Sequence, residues 1–206
     1  MGSSQKNKNE RNPARLNFHE ESRFKWLPML LDAYAIIDEG VSEAIKNKER
    51  CGVKLACKKG CGSCCRTHKD IPVYPLELVG IYWYAIEKIT APKREILKTQ
   101  LAGHTGSSCP FLVGSSCSVH PVRPVSCRQF NVFNKPCAEG EDPYYTRRDD
   151  VLTPIEDYTN RAFSIMLPFY GVTDKAYKAY IIKNNLIHTQ VQILQSLNWK
   201  ELAKKM

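Results

Sequence analysis

Eight cysteines between Cys57 and Cys137 constrain this 206-residue chain more than any other feature. Cys57, Cys61, Cys64 and Cys65 fall in one short segment, and Cys109, Cys117, Cys127 and Cys137 in a second. Residues 51–69 hold three glycines and five cysteines, while 103–142 carries Pro110, Pro121, Pro124 and Pro136 among further glycines and serines. Neither stretch keeps a helical period, so both read as irregular loops shaped by what their sulfurs bind. Packing alone does not explain them, because cores do not concentrate cysteines beside glycine in polar loops. Eight thiolates suffice for two four-coordinate sites, and soft thiolates select zinc, cuprous copper or iron–sulfur clusters over hard cations.

Within Cys57-Lys-Lys-Gly-Cys61-Gly-Ser-Cys64, close spacing lets a turning backbone aim three sulfurs inward, with Gly60 and Gly62 supplying the conformations the turn needs. Side chains of the neighbours Cys64 and Cys65 point to opposite sides of an extended segment, so the two either serve different sites or one is spare. A tight run of three plus a remote cysteine, together with Cys109-Pro110, favours iron–sulfur over zinc. The spacing of Cys57, Cys61 and Cys64 also matches radical S-adenosylmethionine enzymes, but the chain lacks the strand and helix alternation of their barrel. Cys51 lies outside the pattern and reads as a spare thiol. His68 and His120 adjoin ligand segments and read as neighbours of the site rather than ligands, since eight thiols are already present.

Around these loops the pattern is helical. Leu27, Leu30, Tyr34, Ile37, Val41 and Ile45 recur at three- and four-residue steps and predict a helix over 26–48. Further helices are expected over 76–89, with Leu78, Tyr82, Ala85 and Ile89 on one side, and over 92–101. Thr153-Pro154 is expected to open another to about Leu167, Thr173-Asp174 one reaching about Leu197, and Asn198 with Glu201 a capping box. Phe111-Leu112-Val113 and Cys117-Ser118-Val119 flank Gly114-Ser115-Ser116 and suit a short hairpin. The expected fold is mainly α: a helical shell around two cysteine-rich metal-binding segments, with one short β-hairpin. Residues 1–24 are expected to be a flexible basic tail, and 25–206 one domain whose cysteine module spans about 51–142.

Composition supports a globular chain, with 43% hydrophobic, 25% charged and 10% aromatic residues. No apolar run approaches the roughly 18 residues of a membrane span. Met1 to Phe24 shows no apolar core with a small-residue cleavage site, and Lys6 stands where a myristoylation pattern wants Ser or Thr, so a cytoplasmic protein with reduced thiols is expected. There is no Gly-rich phosphate loop and no recognisable Ser-His-Asp context.

Taken in order, Cys57-Lys-Lys-Gly-Cys61-Gly-Ser-Cys64-Cys65, Ile71-Pro72-Val73 with Glu77, Cys109-Pro110-Phe111-Leu112, Cys117-Ser118-Val119 and Arg123-Pro124-Val125-Ser126-Cys127-Arg128-Gln129-Phe130 resemble the YkgJ-type cysteine-cluster family. The resemblance covers about residues 57–137 and implies a zinc- or iron-chelating domain, related to a domain of flagellin lysine N-methylases. It implies that Cys57, Cys61, Cys64, Cys65, Cys109, Cys117 and Cys127 are family cysteines, with Cys137 trailing. His120 stands where many members have Tyr, and the first spacing is three residues rather than two. The expected cofactor is one or two iron–sulfur clusters, or zinc, with a redox or protein-modifying role. S-adenosylmethionine would serve the methylase-like alternative, and a structural zinc module for protein interaction is a further one. Expected partners are a protein substrate or redox partner, with no specific nucleic acid and no membrane.

The charge supports the same reading. The formal net charge is +9, and residues 57–137 carry 11 basic against 4 acidic side chains. Tetrathiolate sites are anionic, so this excess is expected to compensate buried clusters rather than to bind nucleic acid.

Overall fold

The structure is a computed structural model in which residues 15–106 and 108–206 are described. Helix α1 (Trp26–Arg50) is the central element, and its apolar spacing buries Leu27, Leu30, Tyr34 and Ile37 in one core. Farther along, Val41 and Ile45 pack on a smaller cluster formed by Ala44, Phe133 and Leu152. The chain continues through α2 (Ser63–Thr67), β1 (Pro72–Val73), α3 (Pro75–Glu87) and α4 (Lys93–Ala102). Strands β2 (Leu112–Val113) and β3 (Ser116–Cys117) follow, then α5 (Val125–Gln129), α6 (Pro143–Thr146), α7 (Glu156–Met166), α8 (Lys175–Lys183), β4 (Gln192–Ile193) and α9 (Lys200–Lys205).

The fold is mainly helical, as the sequence pattern predicts, and its strands make two small antiparallel sheets. The expected hairpin forms, pairing Leu112 with Cys117 and Val113 with Ser116. Gly114 takes φ +61, the left-handed backbone that suits the first position of a two-residue loop. The second sheet joins distant parts of the chain: β1 pairs with β4, Pro72 facing Ile193 and Val73 facing Gln192.

Helices α1 and α7 pack side by side, and Gly40 lets them approach closely. A Cβ there would lie 2.6 Å from Cβ of Tyr158, too close for either helix to accept without moving. Gly40→Ala is therefore expected to destabilise the protein by about 1–3 kcal/mol. Urea unfolding checks this, and a midpoint equal to that of the unaltered protein would refute the close-packing account.

Several expectations are corrected. Residues 1–14 of the expected tail lie outside the described residues, but residues 15–24 are packed. Arg15 pairs with Glu21 at 2.8 Å and with Asp32 at 2.5 Å, and Phe18 meets Trp83 edge to face at 5.0 Å. The loop over 51–69 contains α2, and 103–142 contains a 3-10 turn (His120–Val122) and α5. Helix α3 buries Leu76, Ile81 and Ala85, while Leu78 and Tyr82 line a surface groove with Phe24 and Trp26. Thr153 does not cap α7, because Leu152 N donates to Asn131 O at 2.8 Å and keeps the chain extended as far as Ile155.

The long helix expected from 173 to 197 ends at Lys183. Asn185 turns left-handed at φ +54, and the chain leaves to pair with β1, so a distant partner overrides local periodicity. Asp174 does cap α8, accepting from Tyr177 N at 2.8 Å. The capping box at Asn198 does not form: its side chain accepts from Lys200 N at 3.2 Å, while Glu201 pairs with Lys204.

Candidate metal centre

Two sets of backbone contacts hold the first cysteine loop. At its start, Leu55 bridges Phe133, Ala56 N donates to Val132 O at 2.8 Å, and Asn134 N donates to Lys54 O at 2.8 Å. Val132 N also donates to Cys57 Sγ at 3.2 Å. At its end, Cys109 N donates to Cys65 O at 2.9 Å, and Gly62 abuts the carbonyl of Ser115 in the hairpin turn. The hairpin presents Cys117, and α5 presents Cys127. Gly60 takes φ +82, as a tight turn requires. Gly62 is at φ −122, so glycine is needed there for space rather than for conformation.

Cys64 and Cys65 lie on α2 rather than in extended chain, and consecutive helical positions still diverge by about 100°. The neighbouring Cys65 sulfur together with burial raises the Cys64 thiol, and Cys109 together with burial pushes Cys65 up to about 12. Burial raises Cys57, Cys117, Cys127 and Cys137. Cys61 goes the other way, because Ser63 N–H and its hydroxyl favour the thiolate. All nine cysteines are free thiols, and Cys51 lies exposed where α1 ends.

Cations stand among the sulfurs. Arg147 acts on Cys57 and Cys137, Arg66 on Cys61, and Arg123 with Lys93 on Cys117. Arg147 was not singled out in the sequence, because it lies beyond the last cysteine and beside no motif. It is fixed by Glu141 at 2.7 Å and Asp150 at 2.9 Å.

Behind Cys127 lies a buried polar network. Glu77 accepts from Tyr74 N at 3.0 Å and from Val125 N at 2.7 Å, tying α3 to the start of α5. Arg128 pairs with Asp38 at 2.6 Å, covers the Tyr34 ring at 3.8 Å, and donates to Pro121 O at 2.5 Å. His68 Nε2 is 3.2 Å from Asp142, and the His120 ring receives Arg123 Nη1 at 2.7 Å.

These loops also match a known domain. Residues 56–151 fit the family model CxxCxxCC, whose description reads "Putative zinc- or iron-chelating domain". Over that stretch the chain is similar to the CxxCxxCC domain. The match extends to 151 and so takes in Arg147. No curated protein and no solved structure matches the chain. The donor chemistry of the matched segment fits a soft metal: eight thiols, flanked by cations that offset thiolate charge. Among the described residues, no three His, Cys, Asp or Glu side chains already converge in ligating geometry. Ligation would therefore require the thiols to turn on a backbone that already joins their segments.

Proposed function

We propose that the protein binds metal through Cys57, Cys61, Cys64, Cys65, Cys109, Cys117, Cys127 and Cys137, as iron–sulfur in preference to zinc, and that it serves a redox role toward a partner protein. The observation that carries this is the joining of both cysteine segments by backbone hydrogen bonds around 56–57 with 132 and 65 with 109, which brings segments remote in sequence side by side. An iron–sulfur group, when bound, supplies a one-electron centre.

The chain's own residues do the rest. Cys61, held toward the thiolate by Ser63, gives up its proton most readily and is the expected first ligand. Val132 N–H, already on Cys57 Sγ, stabilises charge on that sulfur. Arg147, Arg66, Arg123 and Lys93 balance the anionic sulfurs.

Anaerobic purification followed by metal and acid-labile sulfide analysis tests the reading. Brown protein containing iron and sulfide is expected, and colourless protein with stoichiometric zinc would overturn the iron–sulfur assignment. If neither metal is retained and chelator leaves the urea midpoint unchanged, metal binding itself is wrong.

A further inference from the structure

Cys64 and Cys65 are adjacent in sequence, yet their surroundings differ. The start of the loop, around Cys57, is joined to 132–134, from which only Lys135 and Pro136 separate Cys137. The end of the loop, around Cys65, is joined instead to Cys109 and to the turn of the hairpin that bears Cys117. Packing follows the same division. Cys109 is buried in the main core, and Cys65, Cys117 and Cys127 pack against that core, whereas Cys57, Cys61, Cys64 and Cys137 are not part of it.

We infer that the eight thiols make two separate four-thiolate sites, an outer one of Cys57, Cys61, Cys64 and Cys137 and an inner one of Cys65, Cys109, Cys117 and Cys127. This rests on the metal-binding reading above and adds the number of sites and the allotment of ligands. The inner group has four members without Cys64, and the outer group needs a fourth, which Cys64 supplies. Helix α2 makes the split possible by rotating one sulfur from the next by about 100°. The sites also differ in access, since Cys61 is exposed and Cys109 is buried. The outer metal therefore exchanges first.

Cobalt(II), added anaerobically to the reduced metal-free full chain, tests the division through thiolate-to-cobalt absorption and through mass mapping of alkylated cysteines. About two equivalents are expected, each with tetrahedral thiolate bands. In the double variant Cys57→Ser, Cys137→Ser, the ratio falls to about one. Cys64 then becomes alkylated with Cys61, while Cys65, Cys109, Cys117 and Cys127 stay protected. Cys65→Ser with Cys117→Ser gives the converse pattern. Should that variant fail to fold, the first variant and chelator removal of one equivalent before the other still decide the matter. A single equivalent protecting thiols of both groups, or loss of both equivalents in the outer variant, overturns the division while leaving metal binding intact. No cobalt absorption at all overturns the metal-binding reading and the division with it.

Discussion

Glu77→Ala is expected to cost on the order of 2–5 kcal/mol of stability, because it leaves the buried N–H groups of Tyr74 and Val125 without an acceptor. The carboxylate is fully buried and joins α3 to α5, so its loss also loosens the helix that carries Cys127. Urea unfolding of the reduced, metal-free protein measures the loss, and a midpoint shift of only a few tenths of a kcal/mol would refute the role given to Glu77.

The same residue sets a pH dependence. Burial raises the Glu77 carboxyl from 4.5 to about 7, against the pull of the two backbone N–H groups and Arg128. The folded protein therefore holds a proton that the unfolded chain releases. The contribution of Glu77 is greatest below about pH 4.5 and falls as pH rises to about 7, by on the order of 3 kcal/mol. Glu141 has the opposite sign: Arg147 holds it near 2, so its contribution is present above 4.5 and is lost as pH falls. Unfolding free energy is thus expected to decline from pH 5 to pH 7, and Glu77→Gln to remove that decline. An unchanged slope in the variant would show that another group titrates.

Local signals and distant ones were unequally legible in the sequence. The hairpin could be read because Gly114 and its flanking apolar residues lie within a few positions of one another, and α1 because its stripe repeats over many turns. The cysteines announced a soft-metal site through their own chemistry. What could not be read depends on remote partners. Pairing of β1 with β4 ends α8 early, and Leu152 held by Asn131 delays α7, although Thr153-Pro154 has the composition of a helix start. The partner of Arg128 is Asp38, ninety positions away on α1, where spacing carries no information. Gly62 reads from the sequence as a glycine needed for conformation, whereas the structure needs it for room, a distinction that sequence does not carry.

That distinction makes Gly62 the most informative single position in the loop. A Cβ on Gly62 would lie 2.6 Å from Ser115 O and 3.1 Å from Leu112 Cδ1. Leu112 can turn aside, but a backbone carbonyl in a tight turn cannot, so α2 and the hairpin must separate. Such a shift pulls Cys64 and Cys65 away from Cys117 while leaving each thiol chemically unchanged. Gly62→Ala is therefore expected to weaken metal retention about 10–100-fold, the range typical for residues that orient ligands. Gly60→Ala is the contrast: nothing lies within 4 Å of its Cβ, and its φ of +82 confines the penalty to local backbone strain of about 1–2 kcal/mol. Competition between each variant and a chelator, followed by cobalt–thiolate absorption, separates the two effects. Equal retention by both variants would mean that the contact between α2 and the hairpin does not align the sulfurs, whereas selective loss in Gly62→Ala identifies that contact as what holds Cys65 and Cys117 in register.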